Sequence, residues 1–131
     1  MRPMLLLLPF ALASCAPTPM QQSVAANQEA ENFAREVAGR VPAGGGSCIS
    51  TFGSENLRVV NRSTLAYGTG RTVQINRLAA PCPGLDQFNA IIVEANGGQY
   101  CRGDRIRALE PGGIIPGPVC HLGNWTAYNR Q

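Results

Sequence analysis

Five cysteines are the residues best equipped for chemistry in this chain: Cys15, Cys48, Cys82, Cys101 and Cys120. A thiol can ligate zinc, act as a nucleophile, carry a thioether-linked group or pair as a disulfide, and spacing separates these uses. Structural zinc sites rely on close pairs such as Cys-x-x-Cys, whereas these five are widely separated singles, so no metal centre is expected. The lack of a close pair also removes the usual signature of a thiol oxidoreductase. Because the count is odd, an exported chain has one thiol left over after disulfide pairing.

The other candidates are weaker. His121, the single histidine, follows Cys120 and lies near Trp125. It is an available acid or base, but no Ser or Cys nucleophile motif accompanies it, and a packing or surface role suits it better. Asp86, Glu94, Asp104 and Glu110 are carboxylates of the kind that work in pairs in glycosidases, yet carboxylates are common and sequence spacing does not decide whether any two of them meet. Gly112, Gly113 and Gly117 sit in a proline-broken loop rather than between a strand and a helix, so they make no phosphate loop. No cofactor motif is present and no catalytic residue is assigned. Arg102-Gly103-Asp104 resembles the integrin-binding tripeptide of animal matrix proteins, but three residues beside Cys101 are more simply a turn into the strand DRIRAL.

What must position these groups begins with a leader. Residues 1–14, MRPMLLLLPFALAS, place Arg2 ahead of a Leu-rich run that ends in small residues, the pattern of a secretory signal. The run is far shorter than the roughly 20 residues of a membrane-spanning helix. Leu12-Ala13-Ser14-Cys15 closely resembles the lipobox of bacterial lipoproteins. That resemblance covers the leader and implies three steps: Cys15 receives a diacylglycerol as a thioether, the chain is cut just before it, and the new amino terminus is acylated, as with palmitate. Buried acyl chains contribute about 0.8 kcal/mol per CH₂, so several chains hold firmly. Ala16 stands where an Asp would favour inner-membrane retention in the enterobacterial version, so the expected location is the outer membrane, facing the periplasm.

The chain is 131 residues long, and removal of the leader leaves enough for one domain and not for two. The formal net charge is only +3. All basic residues are Arg, which suits bidentate recognition of phosphate or carboxylate, but a GC-rich genome gives the same bias. With no basic run and an exported location, no nucleic-acid partner is expected.

If Cys15 is consumed by lipid, four cysteines remain, and an even set in an exported chain implies two disulfides with three possible pairings. The favoured pairing is Cys82 with Cys101, across a hairpin-like stretch, and Cys48 with Cys120, joining the first and last strands. Each bridge would contribute roughly 3 to 5 kcal/mol by the chain-entropy model.

Residues 15–26 are uncharged and contain two prolines, and they are expected to be a lipidated tether. From 27 to 39 the spacing predicts a helix capped by Asn27, with an apolar stripe of Ala30, Phe33, Ala34, Val37 and Ala38. Glu31 with Arg35 and Glu36 with Arg40 are spaced for ion pairs, and Gly39 supplies a stop. Pro42-Ala43-Gly44-Gly45-Gly46 breaks the pattern, and a β domain over 48–128 follows. Strands are predicted near Cys48 to Phe52, Leu57 to Asn61, Thr64 to Tyr67, Thr72 to Arg77, Asn89 to Ala95, Asp104 to Leu109 and around Cys120 to Tyr128. Hairpin turns are predicted at Tyr67-Gly68-Thr69-Gly70-Arg71 and at Asn96-Gly97-Gly98. Val73 and Ile75 are expected to face a core, with Thr72, Gln74 and Asn76 facing water. The expected fold is therefore mainly β: a small antiparallel sandwich or partly open barrel with one N-terminal helix and two disulfides.

From Cys48 to Leu122 the succession CIS, INRLAAPCPGL, YCRGDRI and VCHLG resembles a group of small exported proteobacterial proteins. The four cysteines with Asn76, Leu78, Pro83, Gly84 and Asp104 carry that resemblance. It implies export and stapling and brings no catalytic residue. The expected function is a non-catalytic, outer-membrane-anchored lipoprotein that serves as a binding or structural module. Its expected partners are the membrane, through lipid on Cys15, and an envelope protein or peptidoglycan. Two alternatives are an inhibitor, since small disulfide-bonded β lipoproteins that block lysozyme are similar in size and location, and a wall-polymer hydrolase.

Overall fold

A computed structural model of the chain describes residues 15–53 and 55–131. The expected secretory leader, residues 1–14, with the stretch Leu12-Ala13-Ser14 that resembles a lipobox, lies outside the described residues. The first element is helix α1, Pro19–Glu36. Thr18 caps it: its hydroxyl accepts from the Gln21 N–H, and the Gln21 side chain accepts from the Thr18 N–H at 2.9 Å. This reciprocal capping box, with proline in the first turn, stabilises the start by satisfying two otherwise orphaned donors. The helix thus begins at Pro19, not Asn27, and much of the expected tether is helical. It ends at Glu36, with Gly39 at φ +67° in the left-handed region just beyond.

Phe33 and Val37 of the expected stripe do pack on the sheet, but its three alanines do not. Ala30, Ala34 and Ala38 are exposed, whereas Glu29, Asn32, Phe33, Glu36 and Val37 are half-buried. The expected intrahelical ion pairs give way to tertiary ones: Glu36 pairs with Arg58, and Glu29 with Arg62 at 3.6 Å. Arg40 instead donates to the carbonyls of Arg71 and Gly70, each at 2.9 Å. A carboxylate that can reach a guanidinium on a packed sheet forms a more enclosed pair than one on the solvent face of its own helix. Phe33 fixes the dock, edge-on to Tyr128 with ring centroids 6.1 Å apart and with the Arg77 guanidinium 4.4 Å from its centre.

The helix lies on a five-stranded antiparallel sheet. Its strands are β1 (Arg40–Gly46), β3 (Leu57–Asn61), β4 (Thr64–Tyr67), β5 (Thr72–Arg77) and β10 (Trp125–Arg130), in the order β1-β10-β5-β4-β3. One face carries Val60, Ala66, Val73 and Ile75 against Phe33 and Val37 of α1. The opposite face carries Leu65, Tyr67 and Trp125 into a second core. The expectation that Gln74 and Asn76 face water is therefore corrected: Asn76 is fully buried and Gln74 half-buried, because a second layer of strands covers that side.

That layer consists of a three-stranded sheet, β6 (Ala90–Glu94), β8 (Arg105–Leu109) and β9 (Cys120–His121), and a two-stranded ribbon, β2 (Cys48–Ser50) with β7 (Gln99–Cys101). Ile106, Ala108, Ile49, Leu78, Cys82, Leu85 and Leu122 complete the shared core. The fold is mainly β and antiparallel, with one helix and two disulfides, as the pattern of short strands predicted.

Three local expectations change. First, β1 forms in the segment read as a break. Proline is tolerated there because β1 is an edge strand, and a bulge between Pro42 and Gly45 restores register with β10. Second, Asn96-Gly97-Gly98 is not a hairpin turn: β6 pairs with β8, and the turn instead hands the chain to β7, which pairs with β2. Third, the disulfides are Cys48–Cys101 and Cys82–Cys120, not the favoured alternative. The strand exchange explains this, since Cys48 and Cys101 stand opposite each other in the β2–β7 ribbon with Cα atoms 4.0 Å apart. Cys82, on the segment crossing between the layers, is left for Cys120 on β9.

Candidate functional site

Cys15, the residue assigned to lipid, is exposed and unpaired. It stands three residues ahead of the Thr18 cap, so little irregular chain separates it from a capped helix. Among the described residues, no helix is long and apolar enough to cross a membrane.

The fold gathers several of the other candidates around one depression. Glu94 on β6, Asp104 and Arg105 at the start of β8, and His121 on β9 line an open hollow of about 530 Å³ with Asn96 and Gly103. Strand register accounts for this, since Glu94 and His121 both stand opposite Arg105. The carboxylates there already have structural partners. Glu94 pairs with Arg105, and with Arg107 at 3.7 Å. Asp104 accepts the Cys101 N–H at 2.7 Å, and its own N–H returns to the Cys101 carbonyl at 3.1 Å. The Arg102-Gly103-Asp104 turn is thus held by its aspartate, which is half-buried rather than displayed.

The remaining two carboxylates are not brought into this cluster. Asp86 accepts the Phe88 N–H at 2.9 Å and so closes its own turn. Glu110 is exposed in the turn after β8. Among the described residues, no group of three or more His, Cys, Asp and Glu side chains is arranged to hold a metal ion.

A second concavity was not singled out in the sequence. It is an open groove of about 500 Å³ at the junction of the five-stranded sheet and the β2–β7 ribbon. Tyr67 on β4 and Gln74 on β5 supply one wall, Ile49 and Ser50 on β2 the other, and Phe52 and Glu55 stand on the loop between β2 and β3. The Cys48–Cys101 bridge fastens the ribbon wall.

Phe52 is the groove's most distinctive residue, being 86% exposed. Its ring rests on Gly98, where a Cβ would come within 3.3 Å of the ring. The backbone beneath it is tied down, with the Thr51 N–H donating to Gly98 O at 3.0 Å and the Phe52 N–H to Ser50 Oγ at 3.4 Å. One ring surface is therefore seated while the rest faces water.

Tyr67 is buried and sits edge-on to Tyr100 at 5.9 Å. Burial pushes its phenol above the ordinary value, and the neighbouring Tyr100 and Glu55 push it in the same direction. It is a neutral hydroxyl at physiological pH. Glu55 is exposed, with its carboxylate beside the Gly68 backbone. The sequence placed Phe52 at the end of a predicted strand, but β2 stops at Ser50 and Phe52 stands on the loop beyond it, an exposed aromatic next to the polar Ser50-Thr51.

No protein-family model, no curated protein and no solved structure matches this chain.

Proposed function

We propose that the protein is a non-catalytic lipoprotein of the cell envelope, anchored in the outer membrane through Cys15, and that its β domain is a ligand-binding module. The observation that carries the binding role is the groove beside Phe52. It joins a seated but open aromatic ring to hydroxyl, amide and carboxylate groups, within the size range of about 300–1,000 Å³ common to ligand sites. Glu55 is the one carboxylate along it, which suits recognition better than the paired carboxylates of hydrolysis.

The anchor is supported by the lipobox pattern ending at Cys15 and by that thiol being unpaired while the other four are bridged. Two disulfides in so small a domain suit an oxidising, exported compartment. Helix α1 then acts as a short spacer between lipid and domain, docked through Phe33 and Val37 while Met20 and Val24 remain exposed.

Metabolic labelling with an alkyne palmitate analogue, followed by membrane fractionation, tests the anchor. Wild-type protein is expected to carry label and to partition with outer membranes, and Cys15→Ser to lose both. An unlabelled wild type, or a Cys15→Ser variant that still requires detergent for extraction, would overturn the proposal.

A further inference from the structure

We infer that the groove lined by Phe52, Glu55, Tyr67, Gln74 and Ser50 binds a neutral pyranose glycan, with Phe52 as the stacking platform. The inference deepens the binding role proposed above by naming its ligand class. It rests on that reading only for which glycan lies within reach.

The ligand class follows from the chemistry of the lining. A pyranose ring presents a face of C–H bonds with slight positive charge, complementary to the negative face of an aromatic ring. Around its edge it presents hydroxyls that both donate and accept. Phe52 offers an open ring that lies against Gly98, on a backbone restrained by the Thr51 and Phe52 N–H hydrogen bonds, which limits the order lost when a sugar stacks on it. Glu55 accepts hydroxyl protons in short charge-assisted bonds. The Gln74 amide and the Ser50 hydroxyl supply both donors and acceptors.

Charge excludes the other common ligands of such a groove. Among the described lining residues none is basic and the one formal charge is the Glu55 carboxylate, while the nearby Arg58, which donates to the Gly68 carbonyl at 2.9 Å, is already paired with Glu36, so phosphate-bearing or acidic polymers are disfavoured. A purely apolar ligand would strand the Glu55, Gln74 and Ser50 groups without partners, at a cost for each desolvated group. The other depression, around Glu94 and His121, lacks an aromatic platform, and its Glu94 is paired with Arg105 while Asp104 accepts a backbone N–H.

The test is isothermal titration calorimetry on the full chain as cells deliver it, purified in detergent. The two probes are a β-1,4-linked N-acetylglucosamine tetramer and a β-1,4-linked glucose tetramer. Saturable binding of the first alone means that ring and acetamide are both read, and of both means that stacking and hydroxyl capture suffice; either upholds the inference. Phe52→Ala is expected to weaken binding roughly tenfold or more, Phe52→Trp to preserve it, and Glu55→Gln to weaken it. Both side chains are exposed, so thermal unfolding of each variant should match wild type. No saturable heat with either tetramer, or unchanged binding by Phe52→Ala, would overturn the inference. Sugar binding by a protein that is never acylated would keep this site and remove the anchor.

Discussion

Asn76 and Gly123 exchange two hydrogen bonds of 2.8 Å: the Asn76 amide donates to the Gly123 carbonyl and accepts the Gly123 N–H. A buried side chain here does what a neighbouring strand does in a sheet, satisfying both backbone groups of one residue. The geometry demands glycine on the other side, since a Cβ at Gly123 would lie 1.9 Å from the Arg77 carbonyl oxygen. The pair locks β5 to the turn that leads into β10, directly beside Trp125, which stands opposite Asn76 in the ladder.

Asn76→Ala should therefore destabilise the domain by about 2–4 kcal/mol, because it removes two bonds and leaves the Gly123 N–H and C=O unpaired at the edge of the core. Asn76→Asp should be at least as harmful, since a carboxylate has no donor for the Gly123 carbonyl. Urea unfolding with an unchanged slope and a lower midpoint would bear this out. An unfolding free energy within about 0.5 kcal/mol of wild type would contradict it.

The close approach of β1 to β10 makes a similar demand at Gly45. A Cβ there would stand 2.3 Å from the Trp125 carbonyl oxygen, whereas one at Gly46 would meet only ordinary contacts. Gly45→Ala should cost about 1–3 kcal/mol and loosen the edge strand, while Gly46→Ala should stay within about 1 kcal/mol. Amide exchange reports this directly: protection along β1 should fall in the first variant and persist in the second. Equal protection in both would show that β1 adapts without strain.

The two disulfides should open in sequence under mild reductant. Cys48 is exposed and Cys101 half-buried, whereas Cys82 is 1% exposed within the core and Cys120 half-buried, so the first bridge has the more accessible sulfur. Thiolate attack needs access to a sulfur, so Cys48–Cys101 should be reduced first and Cys82–Cys120 only when the domain unfolds. The sequence separations of 53 and 38 residues give nearly equal chain-entropy contributions, about 4 kcal/mol each. Differential alkylation and peptide mass spectrometry would reveal the order. Simultaneous reduction would count against it.

At alkaline pH, Tyr67 should hold its proton beyond the ordinary tyrosine range. Its folded phenol is raised above the ordinary value of about 10 by burial, then by Tyr100 and Glu55. The folded state then holds this proton more tightly than the unfolded state. The corresponding stability is fully present below the unfolded value and is lost as pH rises from there through the folded one. Absorbance at the phenolate band should show one delayed transition that is missing in Tyr67→Phe. The stability of the variant should also fall less steeply above about pH 10. Identical alkaline profiles would refute the assignment.

Several elements were legible because their signals are local. The strands Leu57–Asn61, Thr64–Tyr67 and Thr72–Arg77 match their predicted bounds, since alternating apolar positions and the intervening Gly68 and Gly70 act over a few residues. The helix start was legible and missed: Thr18-Pro19-Met20-Gln21 is a capping box with proline in the first turn, outweighed by the lack of charge around it. β1 was illegible, because Pro42 and three glycines argue against a strand until β10 is present to pair with them. Of the groove, Phe52 alone carried a hint. Tyr67 and Gln74 read as ordinary sheet residues until the ribbon came to lie beside them.

By itself the sequence determined most of the strand segments, β1 and β7 excepted, that the sheets are antiparallel and that four cysteines are bridged, because these follow from alternation, turn chemistry and cysteine count. It also carried the leader pattern that ends at Cys15. Which cysteine meets which was decided only in three dimensions, where β7 leaves β6 to pair with β2 and sets Cys101 opposite Cys48. The same holds for the fate of Asn76, polar in a strand and buried between layers, and for the groove between the β2–β7 ribbon and the five-stranded sheet. Strand partnership is a long-range choice, made by which pairing buries the most apolar surface while leaving no backbone group unpaired, and no window of neighbouring residues contains that comparison.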